Sequence, residues 1–184
     1  NRHFLGYENP IKSLLTVIKE AVDNSLEFTT EAGILPDIKI TVKQIGADRF
    51  RFVCEDNGPG IVEEQIPKAF ARVLYGSRFH VLKQSRSLFG IGIKGACLYA
   101  QLTTGKPIKV TSGIGKGPSH VFDLMINVAK NEPMIISHST QKNPDKWHGI
   151  KIEMEVEGKY VERAQSIPEY LKQTAMANPY AEIV

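Results

Sequence analysis

The sequence predicts an α+β fold, with one mixed, mostly antiparallel sheet and helices gathered on one face. Apolar residues recur at helical spacing near the start of the chain, whereas most of the second half alternates with the period of strands. Strand and helix do not alternate strictly along the chain, as a doubly wound nucleotide-binding fold would require. The sequence also has no Gly-x-x-x-x-Gly-Lys-Ser/Thr segment, which excludes a P-loop.

The first predicted element is a helix over residues 11–30. Asn9 suits the N-cap, and Pro10 suits the first helical turn, where an N–H group has no partner within the helix. Gly33 and Pro36 follow the predicted end. One face of this helix is apolar and is formed by Ile11, Leu14, Leu15, Ile18, Val22 and Leu26.

A β-hairpin is predicted next, because the period of hydropathy changes to two. Residues 38–43 alternate apolar and polar side chains, and residues 46–48 form a turn. Residues 50–54 then pair back on the first strand. The second strand ends in a cluster of turn-forming residues, Asp56-Asn57-Gly58-Pro59-Gly60.

The middle of the chain is predicted to hold two helices separated by a loop. Residues 63–74 form the first helix, in which Pro67 is a weak point. Residues 76–87 are polar and basic and form a mobile loop. Residues 92–102 are small and apolar, follow a run of glycines and form the second helix.

Strands and a closing helix complete the predicted fold. The closing helix covers residues 161–175, where Pro168 introduces a kink or shortens it. The length of 184 residues fits one domain, and the absence of an initiator Met suggests a domain cut from a longer protein. The four strands before the closing helix cover residues 108–112, 121–128, 134–138 and 150–156.

The composition is that of a soluble globular domain, with 42% apolar and 23% charged residues. No apolar run reaches the roughly 18 residues of a membrane span, so no membrane partner is expected. Cys54 and Cys97 lie in apolar surroundings without a Cys-x-x-Cys pattern, which predicts buried, reduced thiols and a cytoplasmic location. The net charge of +3 permits weak attraction to nucleic acid without indicating it.

The histidines are scattered along the sequence and predict no metal cluster. Trp147 and His148 are interpreted as packing and turn residues. The other four histidines are His3, His80, His120 and His138.

Glu20 and Asn24 form the first candidate for chemistry. They lie four residues apart on the first helix, so they share a face opposite the apolar stripe. An amide oxygen of Asn24 suits Mg²⁺, which prefers oxygen ligands, and the carboxylate of Glu20 suits activation of a water molecule. A solvated polar face is the alternative interpretation.

The segment Asp56-Asn57-Gly58-Pro59-Gly60 is the second candidate. A carboxylate at a strand end, followed by Gly58 and Gly60, lets the backbone approach a flat ligand, and Asp56 suits an exocyclic amine. An ordinary turn between strand and helix is the alternative.

The third candidate is the glycine-rich start of the second middle helix. Gly90 and Gly92 precede helical residues whose free N–H groups suit a phosphate, and Lys94 adds a positive charge. A tight helix start packed on the sheet is the alternative.

Taken together and in this order, the three segments resemble the N, G1 and G2 boxes of the gyrase, heat-shock chaperone, histidine kinase and MutL (GHKL) ATPases. The basic loop falls where this family keeps its ATP lid. Longer strings resemble the B subunits of type IIB DNA topoisomerases, the topoisomerase VI type. They are GYENP at 6–10, LLTVIKEAVDNS at 14–25, GILP at 33–36, IKIT at 38–41, PKAF at 67–70, RVLY at 72–75, NEP at 131–133 and PYAE at 179–182.

The resemblance implies a Bergerat fold, a two-layer sandwich that binds ATP and Mg²⁺. It implies that Glu20 is the general base, that Asn24 binds Mg²⁺ and that Asp56 holds the adenine amine. It further implies that ATP joins two B subunits into a homodimer that gates duplex DNA, while a separate A subunit cleaves the DNA. The remaining nucleotide contacts implied are Gly58, Gly60, Ser77, Arg78, Ser87, Leu88, Phe89, Gly90, Ile91, Gly92, Ile93 and Lys94.

The sequence departs from the family pattern at four positions. Glu27 stands where Asp is usual, Arg78 where Lys is common, and Ser87 where the phosphate loop begins with Gly. Ile150 stands where Thr is usual, and its side chain has no hydroxyl to support the base site. We therefore expect weaker or altered base recognition.

Two parts of the family's ATPase are expected to lie outside this chain: most of an N-terminal strap and a transducer domain that carries a switch lysine. The fragment is therefore expected to bind ATP·Mg²⁺ weakly, to stay largely monomeric and to hydrolyse slowly. Two other functions stay open at this point. One is a degenerate nucleotide-binding or interaction module without efficient hydrolysis, and the other is phosphoryl transfer to a protein histidine.

Overall fold

The computed structural model of the chain describes residues 10–71, 92–158 and 182–183. Helix α1 spans Pro10–Glu31 and is followed by the hairpin of β1 (Lys39–Gly46) and β2 (Arg49–Glu55). A 3₁₀ turn (Glu63–Gln65) leads into the short helix α2 (Ile66–Phe70). The remaining elements are α3 (Gly92–Thr104), β3 (Ile108–Ile114), β4 (Ser119–Asn127), β5 (Glu132–Gln141), β6 (His148–Glu157) and β7 (Glu182–Ile183).

These strands form one sheet in the order β5-β4-β3-β6-β2-β1-β7. Every neighbouring pair is antiparallel except β1 and β7, which run parallel. Helices α1 and α3 pack on the central strands, and α2 packs beside β4 and β5. The α+β class with a mixed, mostly antiparallel sheet is therefore confirmed.

The core lies between the helices and one face of the sheet. Strand β6 shows the alternation most clearly, since Ile150, Ile152, Met154 and Val156 are all buried while the residues between them are half-buried. Each apolar side chain fully removed from water contributes about 1.5–3 kcal/mol to folding. The apolar face of α1 fills the other side of this core with Leu14, Val17, Ile18, Ala21, Val22 and Leu26.

The opposite face of the sheet is polar. Arg49 pairs with Glu155 at 3.2 Å, and Arg51 approaches Glu153 at 3.9 Å. Partly exposed pairs of this kind contribute little to stability, so the apolar face holds the sheet to its helices.

The segment after the second strand differs from the prediction of one helix over residues 63–74. A 3₁₀ turn occupies Glu63–Gln65, and the α-helix begins only at Ile66. Pro67 lies in the first turn of that helix, where its missing N–H group removes no hydrogen bond. Proline is thus a starting residue here and not a weak point.

The predicted strands are present but longer than expected. Strand β5 was predicted over residues 134–138 and spans Glu132–Gln141, with nearly all its residues exposed. The predicted loop at 76–87 and closing helix at 161–175 lie outside the described residues. Cys54 and Cys97 are free and buried, as predicted, and burial raises the pKa of each thiol to about 12. Among the described residues, no helix has the length and apolar character needed to cross a membrane.

Candidate functional site

The carboxylate of Asp56 is the most heavily hydrogen-bonded side chain at the end of β2. Asp56 is only 2% exposed. Its Oδ1 accepts hydrogen bonds from the backbone N–H groups of Gly58 (2.9 Å) and Ile150 (3.0 Å). Its Oδ2 accepts a third from the hydroxyl of Ser25 on α1 (2.9 Å). Three donors from three segments therefore fix the orientation of this buried carboxylate.

Gly149 permits the close approach of β6 to Asp56. Its φ is +142°, and a Cβ atom at this position would overlap the backbone carbonyl of Asp56. The same Cβ would stand 3.0 Å from Asp56 Oδ1. Any side chain at residue 149 would therefore push the carboxylate away from its donors.

Replacing Gly149 with Ala is expected to destabilise the chain by roughly 1–3 kcal/mol, because the new methyl group overlaps the backbone and takes an unfavourable φ. Gly117→Ala is the matched control, since its φ is +70° but nothing lies within 4 Å of its Cβ position. Urea denaturation measures both. Equal losses of stability in Gly149→Ala and Gly117→Ala would show that the overlap with Asp56 does not add to the destabilisation.

The loop after Asp56 is held on β3 by two contacts. The hydroxyl of Ser112 accepts a hydrogen bond from the N–H of Ile61 (2.8 Å) and donates one to its carbonyl (2.6 Å). Gly60, with φ of +72°, lies directly against the carbonyl of Gly113. Gly60 of the Asp56–Gly60 segment thus permits a close backbone approach to β3.

His148 and Asn57 hold the two sides of the same loop. His148 Nδ1 lies 2.7 Å from the carbonyl oxygen of Gly58. Because a carbonyl oxygen can only accept, Nδ1 carries the proton and donates this hydrogen bond. The side chain of Asn57 accepts from the N–H of Asp37 (2.8 Å) and donates to the carbonyl of Leu35 (2.9 Å). Asp56 therefore lies in a loop with little freedom to move.

Glu20 belongs to α1, and its carboxylate lies beside the first residue of α3. A Cβ atom on Gly92 would overlap Glu20 Oε2, so the carboxylate rests directly on this glycine. Glu20 is half-buried, and Asn24, one helical turn later, is half-buried as well. Helix α1 thus contacts α3 through Glu20 and β2 through Ser25.

Burial shifts the acidity of both carboxyl groups in the same direction. It raises the pKa of Glu20 above its usual 4.5, with a further rise from Asp23 and a small opposing effect of Lys19. Burial also raises the pKa of Asp56 above 3.8, although the bonds from Gly58, Ile150 and Ser25 and the nearby His148 oppose this. Carboxyl groups whose pKa is raised by burial are common at functional sites.

Among the described residues predicted for the site, the structure places Glu20 against Gly92 and Asp56 against Gly58. Asp56, Gly58 and Gly60 follow β2, while Gly92, Ile93 and Lys94 form the first turn of α3. Ile93 also packs against the core. The predicted contacts Ser77, Arg78, Ser87, Leu88, Phe89, Gly90 and Ile91 lie outside the described residues.

Four residues of the site were not predicted from the sequence: Ser25, Ser112, His148 and Gly149. Ser25 is next to Asn24, but its bond to Asp56 spans 31 positions and requires the tertiary fold. His148, predicted as a packing and turn residue, is the first residue of β6 and donates a hydrogen bond to the carbonyl of Gly58. The side chain of Ile150 lacks the hydroxyl that is usual in the family, yet the backbone N–H of Ile150 donates a hydrogen bond to Asp56.

Two of the histidines that are scattered along the sequence lie close together in the fold. His120 on β4 and His138 on β5 lie together with Glu63 of the 3₁₀ turn. The antiparallel register of β4 and β5 brings the two histidines together across 18 positions of sequence.

Comparison with known proteins agrees with this geometry. Residues 9–128 match the family model of the histidine kinase-, DNA gyrase B- and HSP90-like ATPases. Three relatives are B subunits of type 2 DNA topoisomerase 6. The chain is 52% identical to the one from Methanosarcina barkeri, 53% to the one from Methanosarcina acetivorans and 52% to the one from Archaeoglobus fulgidus. Each match covers 100% of this chain and 30% of the relative.

The matched residues contain Glu20, Asn24, Asp56 and the start of α3, the same positions that converge around α1. The family match covers well over half of the chain, and the fold and the order of the segments agree with it. The chain belongs to the histidine kinase-, DNA gyrase B- and HSP90-like ATPase family.

Proposed function

We propose that residues 1–184 form one domain that binds ATP with Mg²⁺ and hydrolyses it, as the ATPase part of a topoisomerase VI protein of the B type. The observation that carries this proposal is the double contact of α1. Glu20 rests on the first residue of α3, and Ser25 binds the carboxylate of Asp56. The three sequence segments associated with nucleotide binding therefore meet around one helix.

Asp56 would select the base. Within the described residues, Oδ1 accepts two hydrogen bonds and Oδ2 accepts one, so the exocyclic amine of adenine would donate to a remaining lone pair of Oδ2. Gly58 is buried beside Asp56 and carries no side chain to obstruct a flat ring. Ile150 contributes a backbone donor, so the loss of the usual hydroxyl leaves the carboxylate itself well anchored.

Glu20 and Asn24 would act at the phosphate end. Both offer oxygen atoms on the same half-buried face, which fits a hard cation and its ordered water molecules. Asn24 would hold Mg²⁺, which when bound neutralises charge on the phosphates. Glu20, with its raised pKa, would orient the attacking water and accept its proton.

The start of α3 would bind phosphate oxygens. Gly92, Ile93 and Lys94 lie in its first turn, where N–H groups point along the axis towards an anion. Ser77, Arg78 and residues 87–91 are proposed to complete this contact from the lid and the phosphate loop.

The relatives suggest the wider role. They are B subunits of type 2 DNA topoisomerase 6, and this chain spans 30% of their length. We propose that ATP binding joins two copies of the longer protein into a homodimer that gates duplex DNA, with a DNA-cleaving A subunit as partner. The buried, free cysteines agree with the reducing cytoplasm.

Calorimetric titration with a non-hydrolysable ATP analogue tests the site. We expect binding by the wild-type chain to require Mg²⁺ and to be strongly weakened in Asn24→Ala. Asn127→Ala, at the last residue of β4, is the control and should bind as the wild type does. Binding that is independent of both Mg²⁺ and Asn24 would refute the assignment. Binding without hydrolysis in the longer protein would favour a degenerate interaction module.

The pH dependence of hydrolysis follows from the raised pKa values. As pH falls, Glu20 and Asp56 gain protons, so the base and the adenine acceptor are both lost. The acid limb of a single-turnover rate profile is therefore expected above pH 4.5, the usual value for glutamate. A rate that stays constant down to that pH would contradict the role of Glu20.

A further inference from the structure

The side of the sheet beside α2 carries a triad of nitrogen and oxygen ligands outside the nucleotide site. His120 Nδ1 and His138 Nε2 are 3.1 Å apart. The Glu63 carboxylate lies 3.7 Å from the first nitrogen, through Oε2, and 3.5 Å from the second, through Oε1. Three side chains from three separate elements thus each offer a ligand atom, and these atoms lie within 4.8 Å of one another.

We propose that Glu63, His120 and His138 form a binding site for Zn²⁺ or a similar borderline transition-metal ion. A tetrahedral zinc ion with bonds of roughly 2.0–2.1 Å places neighbouring ligand atoms about 3.3 Å apart. The two imidazole nitrogens, 3.1 Å apart, lie close to this spacing, and each is 3.5–3.7 Å from a different oxygen of the Glu63 carboxylate. Without an ion the two imidazoles are within hydrogen-bond distance of each other, whereas both distances to the carboxylate exceed the usual 2.7–3.2 Å of a hydrogen bond.

The ligand types define the class of ion. Two imidazole nitrogens and one carboxylate suit Zn²⁺, Co²⁺, Ni²⁺ or Cu²⁺, whereas Mg²⁺ prefers oxygen ligands and retains its waters. The side chains of His120, His138 and Glu63 are 21%, 30% and 44% exposed. The ion would therefore be reachable from solvent and keep one position for water.

The surroundings orient the histidines before any ion binds. The ring of His138 stacks on buried Phe122 with centroids 4.0 Å apart and an angle of 7°. Phe122 and His138 are direct partners in the β4–β5 register, and His120 lies two residues before Phe122 on the same face. Little ordering of the two histidine side chains would thus be needed for binding.

Bound metal would tie the loop of the nucleotide site to the β4–β5 hairpin. Glu63 follows Ile61, which Ser112 already clamps on β3, and Gly60, which rests on Gly113. Zinc would add a connection from the end of this loop to the edge of the sheet. The site would stabilise the fold without taking part in hydrolysis.

Titration of the tag-free chain with Co²⁺ and with Zn²⁺ tests the proposal. We expect one Co²⁺ per chain with the visible absorption of a tetrahedral ion, displaced by Zn²⁺, and a melting temperature that rises with zinc concentration. Glu63→Gln and His138→Asn should each weaken binding by more than the roughly 10–100-fold typical of losing an outer-shell partner.

Asp123→Asn is the matched control, because Asp123 lies on the same strand pair and binds Ser137 instead of the triad. Circular dichroism establishes that each variant is folded. The Glu63 side chain is 44% exposed and lies outside the apolar core, so its variant is expected to keep the fold. Absence of stoichiometric binding by the wild type, or equal binding by wild type, Glu63→Gln and His138→Asn, would overturn the proposal.

Discussion

Replacing Glu20 with Gln is expected to lower the rate of ATP hydrolysis by roughly 10²–10⁴-fold, the usual contribution of a positioned general base. The amide has the size of the carboxylate that rests on Gly92 but cannot accept a proton from water. Nucleotide binding should be retained, because the expected contacts of Asp56 and α3 are untouched. Single-turnover hydrolysis with the protein in excess measures rates this slow.

Glu31→Gln is the control for this variant. Glu31 is an exposed carboxylate at the end of the same helix, more than two helical turns beyond Glu20, so its loss should leave the rate unchanged. A Glu20→Gln protein that hydrolyses ATP as fast as the wild type would remove Glu20 from the mechanism. Equal loss of rate in both variants would point to a general effect of charge.

Replacing Asp56 with Asn is expected to weaken binding of ATP by about 10–100-fold. Two backbone N–H groups point at Oδ1, so the amide oxygen must occupy that position. The amide nitrogen then replaces Oδ2 and presents a donor to the amine of adenine, which is also a donor. Loss of one hydrogen bond to a charged group corresponds to about 1.5–3 kcal/mol.

The same substitution should not unfold the chain. The pKa of Asp56 is raised in the folded state, so the folded protein binds this proton more tightly than the unfolded one. The contribution of Asp56 to stability therefore falls as pH rises from 3.8 through the raised value. Asp56→Asn, which has no charge to bury, is expected to be at least as stable as the wild type at neutral pH.

Urea denaturation and calorimetric titration of Asp56→Asn test these two expectations together. Asp48→Asn, in the β1–β2 turn, is the control for both measurements. A stable Asp56→Asn protein that binds ATP normally would show that Asp56 serves the loop alone. An unstable variant would show that the anionic form is needed to hold Gly58, Ile150 and Ser25 together.

The agreement between prediction and structure is best for elements whose apolar residues recur regularly in the sequence. Helix α1 and the β1–β2 hairpin lie within a few residues of their predicted positions. Strand β5 extends beyond its predicted end because Ser139, Thr140 and Gln141 are exposed at the sheet edge and carry no apolar signal. Their place in the sheet depends on backbone pairing with β4.

The site was predictable only where its residues are close in sequence or match a known pattern. Glu20 with Asn24, and Asp56 with Gly58, fall into this group. The hydrogen bonds of Asp56 to Ser25 and Ile150 span 31 and 94 positions, and no local pattern indicates them. The triad of Glu63, His120 and His138 was missed for the same reason, since only the folded sheet reveals its register.

The central claim is that an adenine nucleotide binds with its amine at Asp56, and a comparison of two nucleotides tests it most directly. The chain is titrated with a non-hydrolysable ATP analogue and with its inosine counterpart, in which a carbonyl replaces the amine. We predict Mg²⁺-dependent binding of the adenine form and affinity for the inosine form lower by about tenfold or more, because two acceptors would face each other. Equal affinity for both nucleotides, or no binding of either at millimolar concentration, would contradict the claim.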